Sequence, residues 1–143
     1  MSKIEQSWYK PFGLITFLLL PLSALFWVVS SFRKYLYSAK ILKPFECKTP
    51  VIVVGNISVG GNGKTPFVLW LYNHLTEQGL SVGIISRGYG GQSDNYPLLV
   101  TSVVDAQQAG DEPVLLYHRL KCPIAVGPSR QHNIDLLEKN YTL

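Results

Sequence analysis

The chain has 143 residues, 47% hydrophobic and only 15% charged, with a formal net charge of +4. This composition excludes intrinsic disorder, which goes with high charge and few apolar residues. Two cysteines, Cys47 and Cys122, far apart and outside any CxxC pair, exclude a disulfide scaffold and a zinc ribbon.

The charge is unevenly spread. Residues 1–50 carry seven basic and two acidic side chains, whereas residues 51–143 carry six and seven. A nucleic-acid reader needs a basic face on its folded domain. Here the basic residues form a collar beside an apolar stretch, which points to a membrane surface and not to nucleic acid.

That stretch runs from Pro11 to Phe32 without a charge, long enough for a helix to span a hydrocarbon core, which takes about 20 residues. Trp8 and Tyr9 precede it, and Trp27, Tyr35 and Tyr37 lie near its other end, where amphipathic aromatics favour the headgroup level. Arg33, Lys34, Lys40 and Lys43 follow, so the positive-inside rule puts the rest of the chain in the cytoplasm. A cleaved signal peptide fits poorly: no A-x-A site follows, and the basic excess is on the wrong side. Pro21 argues against a regular buried helix, because it removes a hydrogen bond and kinks the axis. Spanning the bilayer and lying in its interface both remain open. Residues 1–48 are therefore read as a membrane-associated helical segment with its basic collar, and residues 49–143 as a separate folded part.

Val51–Val54 is a β-branched run suited to a strand buried on both faces of a parallel sheet. A helix is predicted over 64–78, closed by Gly79 as C′ residue. Residues 80–86 and 96–102 read as further strands, 112–120 as a helix, 123–126 as a strand, and 133–139 as a helix starting near Ser129. This alternation predicts an α/β domain, a mostly parallel sheet flanked by helices.

Between the first strand and helix lies the strongest chemical signal, GNISVGGNGKT at 55–65. It matches the phosphate-binding pattern G-x-x-x-x-G-K-[ST] at Gly63, Lys64 and Thr65, with Ser58 in place of the first glycine. The glycines let the backbone curl so that the N–H groups of Ser58, Val59, Gly60, Gly61, Asn62 and Gly63 face a phosphate. The following helix adds its positive dipole end. Lys64 would reach the transferring phosphate of ATP, and Thr65 would place its hydroxyl on Mg²⁺. Pro66 is tolerated in the first helical turn.

Two further loops carry candidates. In SRGYGG at 86–91, Arg87 and Tyr89 sit between glycines after a strand, where α/β sheets place their ligand crevice. In GDEP at 110–113, Asp111 is either an N-cap or a base that orients an attacking hydroxyl; spacing does not decide. His74, His118 and His132 form no ligand pattern and read as structural or exposed, Arg119 and Arg130 read as solvated, and the two cysteines read as reduced thiols.

Together these pieces resemble one family, the tetraacyldisaccharide 4′-kinases (lipid A 4′-kinases) of Gram-negative bacteria. The resemblance rests on the apolar N-terminal helix, VGNISVGGNGKTPF at 54–67, ISRGYGG at 85–91, AGDEP at 109–113 and VGPSR at 126–130, in the family's order. Ser58 at the first loop position is also family-like. The resemblance implies a P-loop NTPase-like fold and a kinase at the cytoplasmic face of the inner membrane. It would pass the γ-phosphate of ATP, with Mg²⁺, to the 4′-hydroxyl of tetraacyldisaccharide 1-phosphate, yielding lipid IVA. It casts Lys64 and Asp111 as catalytic, Thr65 as the Mg²⁺ residue, and Arg87 and Tyr89 on the lipid-headgroup side. It also implies that the family's acidic Walker-B pair and a catalytic histidine belong to sequence beyond Leu143, so that this chain alone is expected to have little kinase activity. Two other readings compete. A membrane-associated P-loop ATPase of the deviant kind would carry a lysine where Val59 stands. A remnant without catalysis would bind nucleotide weakly or not at all.

Overall fold

A computed structural model describes residues 14–56 and 63–143, the first three of these in backbone only. They fall into two units, one ending at Glu46 and the other beginning at Cys47.

The first unit is dominated by α1 (Leu14–Ser38), 25 residues long. At a rise of about 1.5 Å per residue it measures roughly 37 Å, more than a hydrocarbon core of about 30 Å. Its segment Phe17–Ser38 is apolar and long enough to cross a membrane. The apolar side chains point outward all round, with Phe26 74% and Trp27 70% exposed, a surface that lipid solvates better than water does. Pro21 lies inside this helix, which continues through it. A single proline removes only one backbone donor from a long helix, so the helix does not end there. Near the helix end the Arg33 guanidinium lies 5.8 Å from the Tyr37 ring centre. Lys40, at φ 56°, turns the chain away.

The second unit contains α2 (Lys64–Glu77), β1 (Ile84–Ser86), β2 (Leu98–Leu99), α3 (Ala106–Ala109), α4 (Asp111–Leu120), β3 (Ile124–Val126) and α5 (Arg130–Asn140). The α/β alternation holds. The sheet has the order β1-β3-β2. Ile84, Ile85 and Ser86 pair in parallel with Ile124, Ala125 and Val126, while Leu98 and Leu99 run antiparallel to Val126 and Ala125. Among the described residues the sheet is thus mixed. β3 is central and fully buried, as a short apolar run covered on both faces should be. Val100, Ala109, Leu116 and Cys122 join it in the core, with Val68, Leu69 and Tyr72 of α2 packed against them.

Helix ends follow the residues that terminate them. Gly79, at φ 80°, closes α2: its N–H bonds the Thr76 carbonyl and the Leu80 N–H bonds that of Leu75, the paired closure that a left-handed glycine allows. At α5, Ser129 is the N-cap, and its hydroxyl accepts the His132 N–H at 3.3 Å. His74 is exposed and stacks on Trp70. Both cysteines are free. Burial pushes the Cys122 thiol up to about 11, which leaves it protonated and unreactive at neutral pH.

Val51–Val54 differs from expectation. The segment forms no ladder among the described residues, and Val53 is 87% exposed. Expected as a strand buried on both faces of a parallel sheet, it is not among the strands described, which run in the order β1-β3-β2. The approach to this segment is held elsewhere. The Thr49 N–H donates to Glu138 Oε1 at 3.0 Å, and hydrogen bonding from the Thr49 side chain and backbone holds the Glu138 carboxyl below its ordinary value.

One buried polar side chain ties the sheet to α5. Asn133 is fully buried and donates from Nδ2 to the Ser86 carbonyl at 3.1 Å and the Gly127 carbonyl at 3.2 Å. It thereby clamps the C-terminal ends of the two parallel strands. Asn133→Ala is expected to destabilise the second unit by about 2–3 kcal/mol, since it strips a buried acceptor of its donor and leaves a small void. Urea denaturation followed by tryptophan fluorescence and circular dichroism measures the change in midpoint.

Candidate functional site

The N-terminus of α2 opens on a glycine. Gly63 is its N-cap in the left-handed region, at φ 72°, and no side chain caps the helix. Lys64 and Thr65 are its first residues, and Pro66 contributes no N–H. The Phe67 N–H bonds the Gly63 carbonyl at 3.1 Å. Among the described residues the backbone donors of Lys64 and Thr65 have no partner, and they lie at the positive end of the helix dipole. Ser58, Val59, Gly60, Gly61 and Asn62, read from sequence as the rest of the phosphate loop, lie outside the described residues.

The Thr65 hydroxyl donates to Glu112 Oε1 at 2.7 Å. This single bond joins two motifs separated by 47 positions. Glu112 is the second residue of α4 and Asp111 the first, so both carboxylates sit at the positive end of that helix's dipole. The N-cap reading of Asp111 is corrected here: the cap is Gly110, at φ 87° and ψ 155°, and α4 has no side-chain cap bond. Asp111 is exposed. It lines an open concavity of about 580 Å³ with Glu112, Ala106, Val114, Leu115 and His118.

The SRGYGG turn is locked onto the same place by glycines. The Gly91 N–H bonds the Gly88 carbonyl at 2.9 Å, and the Gln92 N–H bonds the Gln107 carbonyl at 2.6 Å. A Cβ on Gly91 would lie 2.6 Å from Gly110 N, one on Gly88 would lie 2.7 Å from the Ala109 carbonyl oxygen, and one on Gly110 would lie 2.6 Å from the Tyr89 carbonyl oxygen. The two loops touch backbone to backbone, an approach open only to residues without a side chain. Arg87 and Tyr89 are exposed on this turn, Tyr89 to 97%.

The structure therefore brings Thr65 to the acidic pair and the Arg87–Tyr89 turn to the backbone of Gly110, next to Asp111. Sequence reasoning did not single out Glu112. The available signal was its place in the first turn of a predicted helix directly after Asp111, where two successive carboxylates exceed what capping needs.

Comparison with known proteins leads to one family. The family model for tetraacyldisaccharide-1-P 4'-kinase matches residues 15–143. The tetraacyldisaccharide 4'-kinase of Pseudoalteromonas translucida (strain TAC 125) is 73% identical over 139 residues, covering 97% of this chain and 43% of the relative. That of Pasteurella multocida (strain Pm70) is 54% identical over 132 residues, covering 92% and 40%. The crystal structure of the "apo" form of LpxK from Aquifex aeolicus in complex with ATP matches with a TM-score of 0.73 at 36% identity, over 89% of this chain and 41% of that one. The chain spans about two fifths of the length of these relatives.

Proposed function

Because the chain belongs to the tetraacyldisaccharide-1-P 4'-kinase family, we propose that its residues bind ATP with Mg²⁺ and serve transfer of the γ-phosphate to the 4′-hydroxyl of tetraacyldisaccharide 1-phosphate. The observation that supports this reading is the Thr65–Glu112 hydrogen bond, which joins the start of α2 to the acidic residues of GDEP. A relative of this chain is known with ATP bound, and the free N–H groups at the start of α2 suit a polyphosphate.

The roles follow from the chemistry of each side chain. Lys64, exposed at the helix start, neutralises charge on the phosphoryl group as it moves. A hydroxyl and a carboxylate oxygen 2.7 Å apart are the hard oxygen donors that Mg²⁺ prefers, so Thr65 and Glu112 would hold the ion. When bound, Mg²⁺ offsets the developing negative charge on the phosphates. Asp111 accepts the proton of the attacking hydroxyl and orients it. Arg87 and Tyr89 meet the acceptor's headgroup from the locked turn. Residues 1–48 keep the enzyme at the cytoplasmic face of the inner membrane, where a tetraacylated acceptor stays in lipid while its sugar is phosphorylated.

Two measurements test this. The purified chain in detergent is expected to bind MgATP, and Thr65→Val is expected to weaken binding in Mg²⁺ more than in EDTA. In the full-length Pseudoalteromonas relative, asparagine at the position equivalent to Asp111 is expected to lower transfer from radiolabelled ATP to the lipid by about 10²–10⁴-fold, with MgATP affinity retained. Absence of MgATP binding, or ATP hydrolysis without a phosphorylated lipid, would overturn the reading.

A further inference from the structure

β1 is an edge strand without the features that protect an edge. Its run, LSVGIIS at 80–86, has no charge and no proline, the usual devices against further pairing. An apolar run of this kind suits a strand covered on both sides. β3 meets that condition and is buried, whereas β1 is only half-buried. The Ile84 N–H bonds the Pro123 carbonyl at 2.9 Å, and the Gly127 N–H bonds the Ser86 carbonyl at 3.2 Å. Alternate residues of a parallel strand turn their backbone groups to opposite neighbours, so the Ile85 N–H and carbonyl face away from β3. Among the described residues no strand pairs with β1 on that side.

The course of the chain says what belongs there. A further parallel strand has to enter at the same end of the sheet as β1 and β3, after a crossover. α5 has the form of such a crossover. It follows the C-terminal end of β3 and packs against both β3 and β1, which carries it toward the free edge. It returns to the start of β1: a Cβ on Gly83 would lie 3.1 Å from methyl carbons of both Leu137 and Leu143. The same turn of α5 holds the approach to Val51–Val54, through the bond from the Thr49 N–H to Glu138. Two apolar runs, β1 and the exposed Val51–Val53, thus start from one turn of α5, and Leu143 lies at that turn. The Pseudoalteromonas relative extends well past the matched 43% of its length.

We infer that the free edge of β1 is an acceptor for one parallel β-strand, and that its occupant is the segment following the position of Leu143 in the Pseudoalteromonas relative. β1 offers that segment a backbone ladder through Ile85, and Val51–Val54 supplies a second apolar neighbour. This pairing follows from strand geometry and is independent of the reaction the site serves.

The probe is a synthetic peptide of about 10 residues, with the sequence of the Pseudoalteromonas relative directly after the position equivalent to Leu143. It is added in large excess to the ¹⁵N-labelled full chain in detergent, and amide hydrogen exchange is followed by NMR. Exchange at Ile85 is expected to slow by at least about tenfold, while Ile84, already bonded to Pro123, changes by less than about twofold. A peptide with proline at its centre should give no protection, since it loses a ladder donor; this control leaves the protein unaltered. In the chain itself, Ile85→Pro should abolish the response, with unchanged Ile124–Val126 amides showing that β3 stays folded. A nitroxide at the peptide's N-terminus should broaden the Gly83 amide, and one at its C-terminus the Gly88 amide, as parallel pairing requires. Absence of Ile85 protection would overturn the inference, as would equal protection by the proline peptide, a response retained in folded Ile85→Pro, or the reverse pattern of broadening. Protection of Ile85 without peptide also overturns it: if it rises with protein concentration the edge belongs to a second copy, and if it does not the edge is already filled from within the chain.

Discussion

Alanine in place of Lys64 is expected to lower lipid phosphorylation by at least about 10²–10³-fold, when introduced at the equivalent position of the full-length Pseudoalteromonas relative. Phosphoryl transfer leaves little covalent chemistry to the protein, so the rate depends on placed charge. Lys64 is the first residue of α2, directly after a left-handed Gly63. Lys64→Arg should not restore the rate, because a broad planar guanidinium cannot replace a compact point charge. The expected signature is a fall in kcat much larger than the loss of MgATP affinity, since the backbone donors remain. Single-turnover transfer of radiolabelled phosphate, set beside equilibrium MgATP binding, separates the two. A variant with kcat within tenfold of wild type would remove Lys64 from the transfer step.

Gly110→Ala is expected to be among the most damaging single-methyl changes in the second unit. Its φ of 87° with ψ 155° lies in a region reserved for glycine, and its Cβ would meet the Tyr89 carbonyl oxygen at 2.6 Å. Backbone strain of about 1–3 kcal/mol adds to overpacking of similar size, about 1–3 kcal/mol. Relief requires the SRGYGG turn to separate from α4, carrying Arg87 and Tyr89 away from Asp111. Gly90→Ala is the matched control. It shares a positive φ of 85° but has nothing within 4 Å of the added methyl, so only the strain remains. Thermal unfolding should rank Gly110→Ala well below Gly90→Ala. Equal melting temperatures would show that the close approach of the two loops does not hold them together.

Much of the site was legible because its signals are local. GKT after a glycine-rich stretch and before an amphipathic run marks a helix N-terminus wherever it occurs, and α2 begins at Lys64. Gly79 and Ser129 set helix ends through their own conformational and capping preferences, and both act as expected. Asp111 shows where local reasoning stops. Aspartate and glycine both serve as N-caps, and the choice went to Gly110 because only glycine accepts the backbone twist at that step. That choice moved the carboxylate one position into the helix and freed it.

The amino-acid sequence by itself determined the apolar helix, the alternation of strands and helices, the phosphate-loop helix start and the family, because each depends on side chains within a few residues of one another. Tertiary structure alone decided the partners. It paired β3 with β1 and β2 and left Val51–Val54 outside the ladder described, since strand pairing joins segments distant in sequence. It also set Thr65 against Glu112 across 47 positions and pressed Gly110 onto Tyr89. Hydrogen bonds and van der Waals contacts act over a few ångströms of space, whatever the distance along the chain, and the fold supplies that proximity.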